Sequence, residues 1–363
     1  MQKRKRIAVK IGTKVITSKD RALDKERVKD IVSQVSDIRK SGIDALIVTS
    51  GAIGAGMWLL GMKARPKDLS ELQAAAAIGQ NHLMQLYSEY FKAHGALTGQ
   101  MLLTQDDFDD RGRYLNIKHT INALLRHGVV PIINENDTVA TEEIRCGDND
   151  RLSSLVADIA GCDKLILLTD VDGLLDEGGA LIGTVPEVNQ RILKLGGRSE
   201  CDLGTGGMAT KLVSAKAASR SGIDCMIANG RVKDILRRIV LLKENAGTMI
   251  PGADKKFDAK KRWIAHSSTA RGVLTVDDGA KAALVGNNKS LLASGILGSS
   301  GKFAAGDVIS ISDKDGRELA RGISNYSSAE VDKLKGLKSA EFKRVLGYKA
   351  KDEIIHKDNL VIL

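Results

Sequence analysis

Lys10 and Lys211 are the residues around which phosphate chemistry can be written. Lys10 lies near the carboxyl end of an apolar run, RIAVKI (6–11), with Gly12 and Thr13 close behind it. An ammonium there can reach a phosphate that the amides of a glycine turn also contact. Lys211 closes GTGGMATK (204–211), a run that opens a helix. Within it Thr205, Gly206, Gly207, Met208, Ala209 and Thr210 can offer amides to phosphate oxygens, and Lys211 adds charge. It is not a Walker A loop, because Thr210 rather than Gly precedes the lysine. GSSGKF (298–303) is not one either, since Phe303 stands where a Ser or Thr would touch magnesium.

Polar groups gather in four further runs. Ser50 opens SGAIGAG, where Gly51, Gly54 and Gly56 would let amides approach an anion at a helix N-terminus. That spacing is not G-x-G-x-x-G, so it argues against a dinucleotide-dependent dehydrogenase. Asn134, Glu135, Asn136 and Asp137 leave an apolar strand together, as a polar binding surface or as an Asx-rich turn. Asp148, Asn149 and Asp150 precede Leu152, Leu155, Val156 and Ile159 at core spacing. Asp150 could be a plain N-cap, but two acids and an amide also suit holding an ammonium in place. Thr169, Asp170 and Asp172 follow the buried run KLILLT (164–169).

The six histidines (82, 94, 119, 127, 266 and 356) fall mainly on helices or in a linker, and none reads as a general base. Phosphoryl transfer to a carboxylate needs none, because that nucleophile is ionised at pH 7. It needs positioning and positive charge around the phosphate oxygens, which two lysines, glycine amides and Mg²⁺ can supply.

The elements that position these groups alternate. Strands are read at 6–11, 43–49, 98–104, 129–133, 164–169 and 223–228. Helices are read at 24–41, 70–93, 113–127, 150–160, 209–221 and 232–242, with 50–56 as a loop. Continuously apolar strands between amphipathic helices imply an α/β fold, a parallel-rich sheet sandwiched by helices. Ligands in such folds sit beyond the carboxyl ends of the strands. The pattern changes near residue 250. The expected division is a domain over 1–250, a basic linker over 251–269, a small β-rich barrel-like module over 270–350 and a tail over 351–363.

Composition fits two domains: 363 residues, 43% of them hydrophobic, suffice for two cores. No apolar run reaches the ~18 residues of a membrane span, and the basic start is too short in apolar residues for a signal segment. Cys146, Cys162, Cys201 and Cys225 form no C-x-x-C pair, which reads as reduced thiols in a cytoplasmic protein without structural zinc. The net charge of +10 is concentrated at the N-terminus and across 231–263, where ten basic residues face four acids. It reads as a solvated connector with attraction for anionic substrates rather than a nucleic-acid stripe.

Taken in order, VKIGTKVIT, TSGAIGAG, INENDTV, GDNDRLSSLVA, LLTDVDGL and GTGGMATK resemble the glutamate 5-kinase group of the amino-acid kinase family, over about residues 6–250. Residues 270–348 resemble a PUA domain. The resemblance implies ATP-dependent phosphorylation of the glutamate side-chain carboxylate to an acyl phosphate, the first step toward proline, with Mg²⁺ accompanying ATP. It implies that Lys10 and Lys211 stabilise the transferring phosphoryl group and that Asp150 organises both. Ser50, Gly51, Asn134, Asp137 and Asn149 would hold glutamate, with Asp137 on its α-ammonium. Lys10, Gly12, Thr169, Asp170 and the loop from Thr205 to Lys211 would hold ATP. Inhibition by proline, a homo-oligomer (dimer or tetramer) and a downstream reductase are also implied. The stretch from Gly173 to Pro186 is shorter than in that group, Cys146 stands where an aromatic is frequent, and Ala293 where proline is common in the PUA module. The pairing of INENDTV with GDNDRLS argues against aspartate, N-acetylglutamate, carbamate or UMP kinases. The alternative from another class is an RNA-binding protein with a degenerate kinase core. It is weakened by the intact lysines and Asp150, and by an excess of only fifteen basic over twelve acidic residues after 270 with no aromatic cluster for stacking.

Overall fold

A computed structural model describes residues 4–18, 21–139, 148–197, 207–253, 259–267, 269–287 and 289–363. The chain divides into two compact units, Met1–Lys256 and Phe257–Leu363.

The first unit begins with β1 (Arg6–Ile11), α1 (Thr13–Ile16), α2 (Lys25–Lys40), β2 (Asp44–Val48), α3 (Ala52–Leu59) and α4 (Leu69–Ala93). It continues through β3 (Thr98–Leu103), α5 (Gln105–Asp109), α6 (Arg111–Arg126), β4 (Val130–Glu135), α7 (Asp148–Ala160) and β5 (Lys164–Thr169). α8 (Gln190–Leu195), α9 (Met208–Arg220), β6 (Asp224–Asn229), α10 (Ile235–Val240) and β7 (Thr248–Ile250) complete it. The sheet runs β3-β4-β2-β1-β5-β6-β7, parallel except for the β6–β7 edge pair.

Strand residues alternate between two cores. Ile7, Val9, Ile11, Ala45, Ile47, Val130 and Ile132 pack with Val28, Ile31, Val32 and Val35 of α2 and with Leu83, Leu86, Tyr87 and Phe91 of α4. The other face of the sheet receives α7 and α9, whose Leu155, Val156, Ile159, Leu212 and Ala215 are buried. Asp24 caps α2 by accepting from the Arg27 N–H at 3.0 Å, and Asp68 caps α4 by accepting from Ser70 N–H at 2.7 Å.

The run expected as a loop, 50–56, is mostly helical. Gly51 turns the chain with φ 94°, and α3 starts at the next residue. α3 and α4 then touch backbone to backbone. A Cβ on Gly56 would lie 1.8 Å from the Ala75 carbonyl oxygen, and one on Gly79 would lie 1.8 Å from that of Ala52. Close packing thus outweighs the low helix propensity of glycine at Gly56 and Gly79. Helix 232–242 is trimmed to α10, because Asp234 takes a left-handed conformation with φ 55°.

The segment between β5 and α8 is anchored. Thr248 Oγ1 accepts from the Leu174 N–H at 2.8 Å and donates to the Ile182 carbonyl at 2.7 Å, while Leu175 pairs with Leu181. The short Gly173–Pro186 stretch is therefore a hairpin tied to edge strand β7.

The second unit holds α11 (Ala259–Arg262), β8 (Gly272–Val276), α12 (Asp278–Asn287), β9 (Ile296–Gly301), β10 (Val308–Ser312), β11 (Glu318–Ile323), α13 (Ser328–Leu334), α14 (Phe342–Leu346) and β12 (Leu360–Ile362). Its sheet runs β12-β11-β10-β8-β9 over a core of Leu274, Ile309, Ile311, Tyr326, Leu334, Phe342 and Ile355. Residues 351–363, expected as a tail, belong to this unit: β12 pairs antiparallel with β11, and Ile354, Ile355, Leu360 and Val361 are buried. The basic residues around them conceal that apolar content. Tyr326 Oη donates to the Lys351 carbonyl at 2.6 Å and accepts its N–H at 2.9 Å. No helix among the described residues is long and apolar enough to cross a membrane.

Candidate functional site

Lys10 is the penultimate residue of β1, in register with Val48 on β2 and Leu167 on β5. Its side chain leaves the sheet on the α7–α9 face, opposite the layer of Ile7, Val9 and Ile11. Asp150 meets it there. Asp150 is the third residue of α7, so its carboxylate is not a simple cap. It is 0% exposed, while Lys10 and Lys211 are 5% and 4% exposed. Lys10 Nζ lies 2.7 Å from Asp150 Oδ1, and Lys211 Nζ lies 3.3 Å from Oδ2. Thr210 Oγ1 donates to Oδ2 at 2.8 Å and to the Gly207 carbonyl at 2.8 Å. One carboxylate therefore spreads two ammonium groups, one from the end of β1 and one from the first turn of α9.

The charges in this cluster oppose one another in a defined way. Burial pushes the Asp150 carboxyl up, but Lys10 and Lys211 outweigh it and hold the group below the usual carboxylate range. Burial pulls the Lys211 ammonium down, Asp150 pulls it back up and Lys10 pushes it down again, leaving it below the usual lysine value. The cluster carries a net positive charge in a desolvated place, the electrostatics that an incoming phosphate requires.

Beside it, the ends of β1 and β5 form a floor. Gly12 N–H donates to the Leu168 carbonyl at 3.0 Å, and a Cβ at Gly12 would sit 3.0 Å from that oxygen. Thr169 Oγ1 donates to Asp170 Oδ1 at 3.2 Å, and Lys14 Nζ lies 3.3 Å from Asp170 Oδ2. Burial raises the Asp170 carboxyl, but hydrogen bonding to its own backbone together with Lys14 outweighs that and holds it below the usual range. Asn229 Nδ2 donates to Asp172 Oδ1 at 2.8 Å. Gly207, Met208, Ala209 and Thr210 lead into this floor from the start of α9, whereas Thr205 and Gly206 lie outside the described residues.

On the other flank, β2 and β4 end in polar residues. Ser50 is buried beside Gly51, and Thr49 Oγ1 lies 3.0 Å from Tyr87 Oη. Asn134, at the end of β4, is 1% exposed. Its Oδ1 accepts the Glu135 N–H at 3.0 Å, its Nδ2 donates to Gln80 Oε1 at 2.8 Å, and Asn149 Oδ1 also accepts the Glu135 N–H at 3.3 Å. Asn134 and Asn149 are thus held together, with Asp137 two residues beyond β4 in a half-buried turn.

Lys14, Gln80 and Tyr87 were not among the residues expected at the site. Gln80 left a legible signal: it stands on the apolar stripe of α4 with Ala76, Leu83 and Tyr87, where a carboxamide needs a partner. Lys14 left none, because an exposed lysine near a glycine turn is common.

Similarity to known proteins agrees with this geometry. The profile of the amino acid kinase family matches residues 5–229, and that of the PUA domain matches residues 272–346. Glutamate 5-kinase of Caldanaerobacter subterraneus subsp. tengcongensis is 45% identical over 99% of this chain and 98% of its own length. Glutamate 5-kinase of Geobacter sulfurreducens is 42% identical over 100% of this chain and 99% of its own, and that of Burkholderia mallei is 43% identical over 99% and 98%.

Proposed function

Because this chain belongs to the amino acid kinase family, we propose that it transfers the γ-phosphoryl group of ATP to the side-chain carboxylate of L-glutamate. The product is L-glutamyl 5-phosphate. The observation that carries this reading is the buried Lys10–Asp150–Lys211 cluster at the strand ends, together with relatives of matching length that bear the glutamate 5-kinase name.

Glutamate arrives ionised, so the reaction needs no general base. The carboxylate oxygen attacks phosphorus in line, the bond to the β–γ bridging oxygen breaks, and ADP leaves with that electron pair. Lys10 meets the transferring group from the acceptor side and Lys211 from the nucleotide side. Asp150 keeps the two ammonium groups apart at fixed places, so the positive charge is organised before the phosphate arrives. Gly12, Thr169, Asp170 and the segment from Thr205 to Lys211 hold ATP, which carries Mg²⁺ with it as part of the substrate. Ser50, Gly51, Asn134 and Asn149 hold glutamate, and Asp137 takes its α-ammonium. The reading also places the protein in the cytoplasm as a homo-oligomer. Proline would act as its inhibitor, and a reductase would consume the acyl phosphate.

The test is ADP release with MgATP and glutamate, aspartate, N-acetylglutamate or no acceptor, with hydroxylamine to trap acyl phosphate. Glutamate-dependent turnover with a trapped hydroxamate, suppressed by proline, is the expected result. Turnover that is no greater with glutamate than without acceptor would overturn the reading. Lys10→Met should lower kcat at least a hundredfold with the fold kept.

A further inference from the structure

The carboxamide of Gln80 has its orientation imposed by its neighbours. The Glu135 N–H occupies Asn134 Oδ1, so the Asn134 amide nitrogen turns to Gln80 and donates to Oε1 at 2.8 Å. Gln80 Oε1 is therefore the acceptor, and both protons of Nε2 point elsewhere. Gln80 is 7% exposed, and Nε2 is buried with no acceptor among the described residues. A buried donor left without an acceptor costs free energy, and such groups are few in native proteins.

We propose that Gln80 is a further substrate-contacting residue, donating through Nε2 to the α-carboxylate of the bound amino acid. This rests on the glutamate reading above. In that reading the acceptor carboxylate faces Lys10 and the ammonium faces Asp137, which leaves the α-carboxylate in need of donors. Dimensions agree. Lys10, Val48 and Ile133 are in register across β1, β2 and β4, and Asn134 is one residue beyond Ile133. Two strand spacings separate Lys10 from Asn134 by roughly 10 Å. Four carbon–carbon bonds separate the two carboxyl carbons of glutamate by about 5 Å. The Lys10 and Gln80 side chains span the difference from opposite faces of the sheet edge. Aspartate, one bond shorter, would engage one end or the other.

The experiment compares wild type, Gln80→Met and Gln80→Glu in steady-state kinetics with MgATP and glutamate, with melting temperatures for each. A hydrogen bond to a charged acceptor corresponds to tenfold or more in affinity. Gln80→Met should therefore raise the KM for glutamate at least tenfold and leave the KM for ATP within twofold. Gln80→Glu keeps the size of the side chain but turns a donor into an acceptor when ionised. Its KM for glutamate, divided by that of wild type, should fall as pH is lowered from 8 to 5 and the carboxyl regains a proton to donate. A glutamate KM within twofold of wild type in Gln80→Met, a parallel rise in the KM for ATP, or a flat ratio for Gln80→Glu would each overturn the assignment while leaving an active wild type. If Gln80→Met does not fold, the pH response of Gln80→Glu decides alone. A wild type without glutamate turnover would instead overturn the substrate reading and this assignment together.

Discussion

Replacing Asp150 by Asn removes the one negative charge between two buried ammonium groups and keeps the shape. The two nitrogens lie 2.7 and 3.3 Å from the carboxylate oxygens, which are about 2.2 Å apart, so they stand within roughly 8 Å of each other. At the effective dielectric constant of about 20 that suits such sites, two like charges 6–8 Å apart repel by about 2–3 kcal/mol. Breaking a buried pair by removing one partner typically costs about 3–5 kcal/mol, and that is the expected loss of stability. Part of it can be relieved by releasing a proton from Lys211, which burial already makes easier to deprotonate. Urea denaturation measures the first quantity, and kcat across pH 6 to 9 measures the second. Asp150→Asn should lower kcat about 10²- to 10³-fold, the effect of losing one preorganised charge at a transition state. Its activity should also fall as pH rises, in contrast to wild type. A variant with kcat within threefold of wild type and an unchanged pH profile would refute the idea that Asp150 organises the two lysines.

Three further outcomes follow from the same contacts. The Asp150 carboxyl is held below its unfolded value of about 3.9, so it contributes stability above that range and loses it as pH falls through the folded value. Urea midpoints from pH 6 to 3 should therefore fall more steeply for wild type than for Asp150→Asn; parallel curves would remove the claim. Gly79→Ala places a methyl against the Ala52 carbonyl and should destabilise by about 2–4 kcal/mol, read by thermal melting. An unchanged melting temperature would mean that α3 and α4 separate freely. Tyr326→Phe removes two bonds to Lys351 and should cost about 1–2 kcal/mol, with faster amide exchange over 351–355; unaltered exchange there would count against the anchoring role of Tyr326.

The parts legible in the sequence are those governed by local pattern. β1, α2, α4 and β5 carry strong apolar periodicity, and α4 extends from Leu69 to Ala93 against an expectation of 70–93. The Lys10, Asp150 and Lys211 set was readable because each stands at the end of a periodic element. The distance between Lys10 and Lys211 in the chain hid their shared carboxylate, and the packing of α7 on β1 and of α9 on α7 brings them to one place. α3 was illegible because its glycines argue against helix, and the force that overrides them is a contact with α4. β12 was masked by the charged residues before it. Gln80 was visible as a polar residue on an apolar stripe, but its partner, Asn134, lies 54 residues away in the chain. Thr248 gave no signal at all, since a threonine in a short edge strand has an ordinary reading.

Thr248 bears on the order in which the chain can become competent during synthesis. The family profile ends at residue 229, and every residue proposed for the site lies before it. The hairpin after β5 is nonetheless anchored from beyond that point: Thr248 bonds the Leu174 N–H and the Ile182 carbonyl, and Met249 bonds Gly183 and Val185 through its backbone. A nascent or truncated chain ending near 230 would hold all the proposed site residues and still leave the Leu174 N–H and the Ile182 carbonyl without the Thr248 hydroxyl. The hairpin after β5 therefore closes its hydrogen bonds only once the chain extends through an edge strand of three residues, Thr248–Ile250.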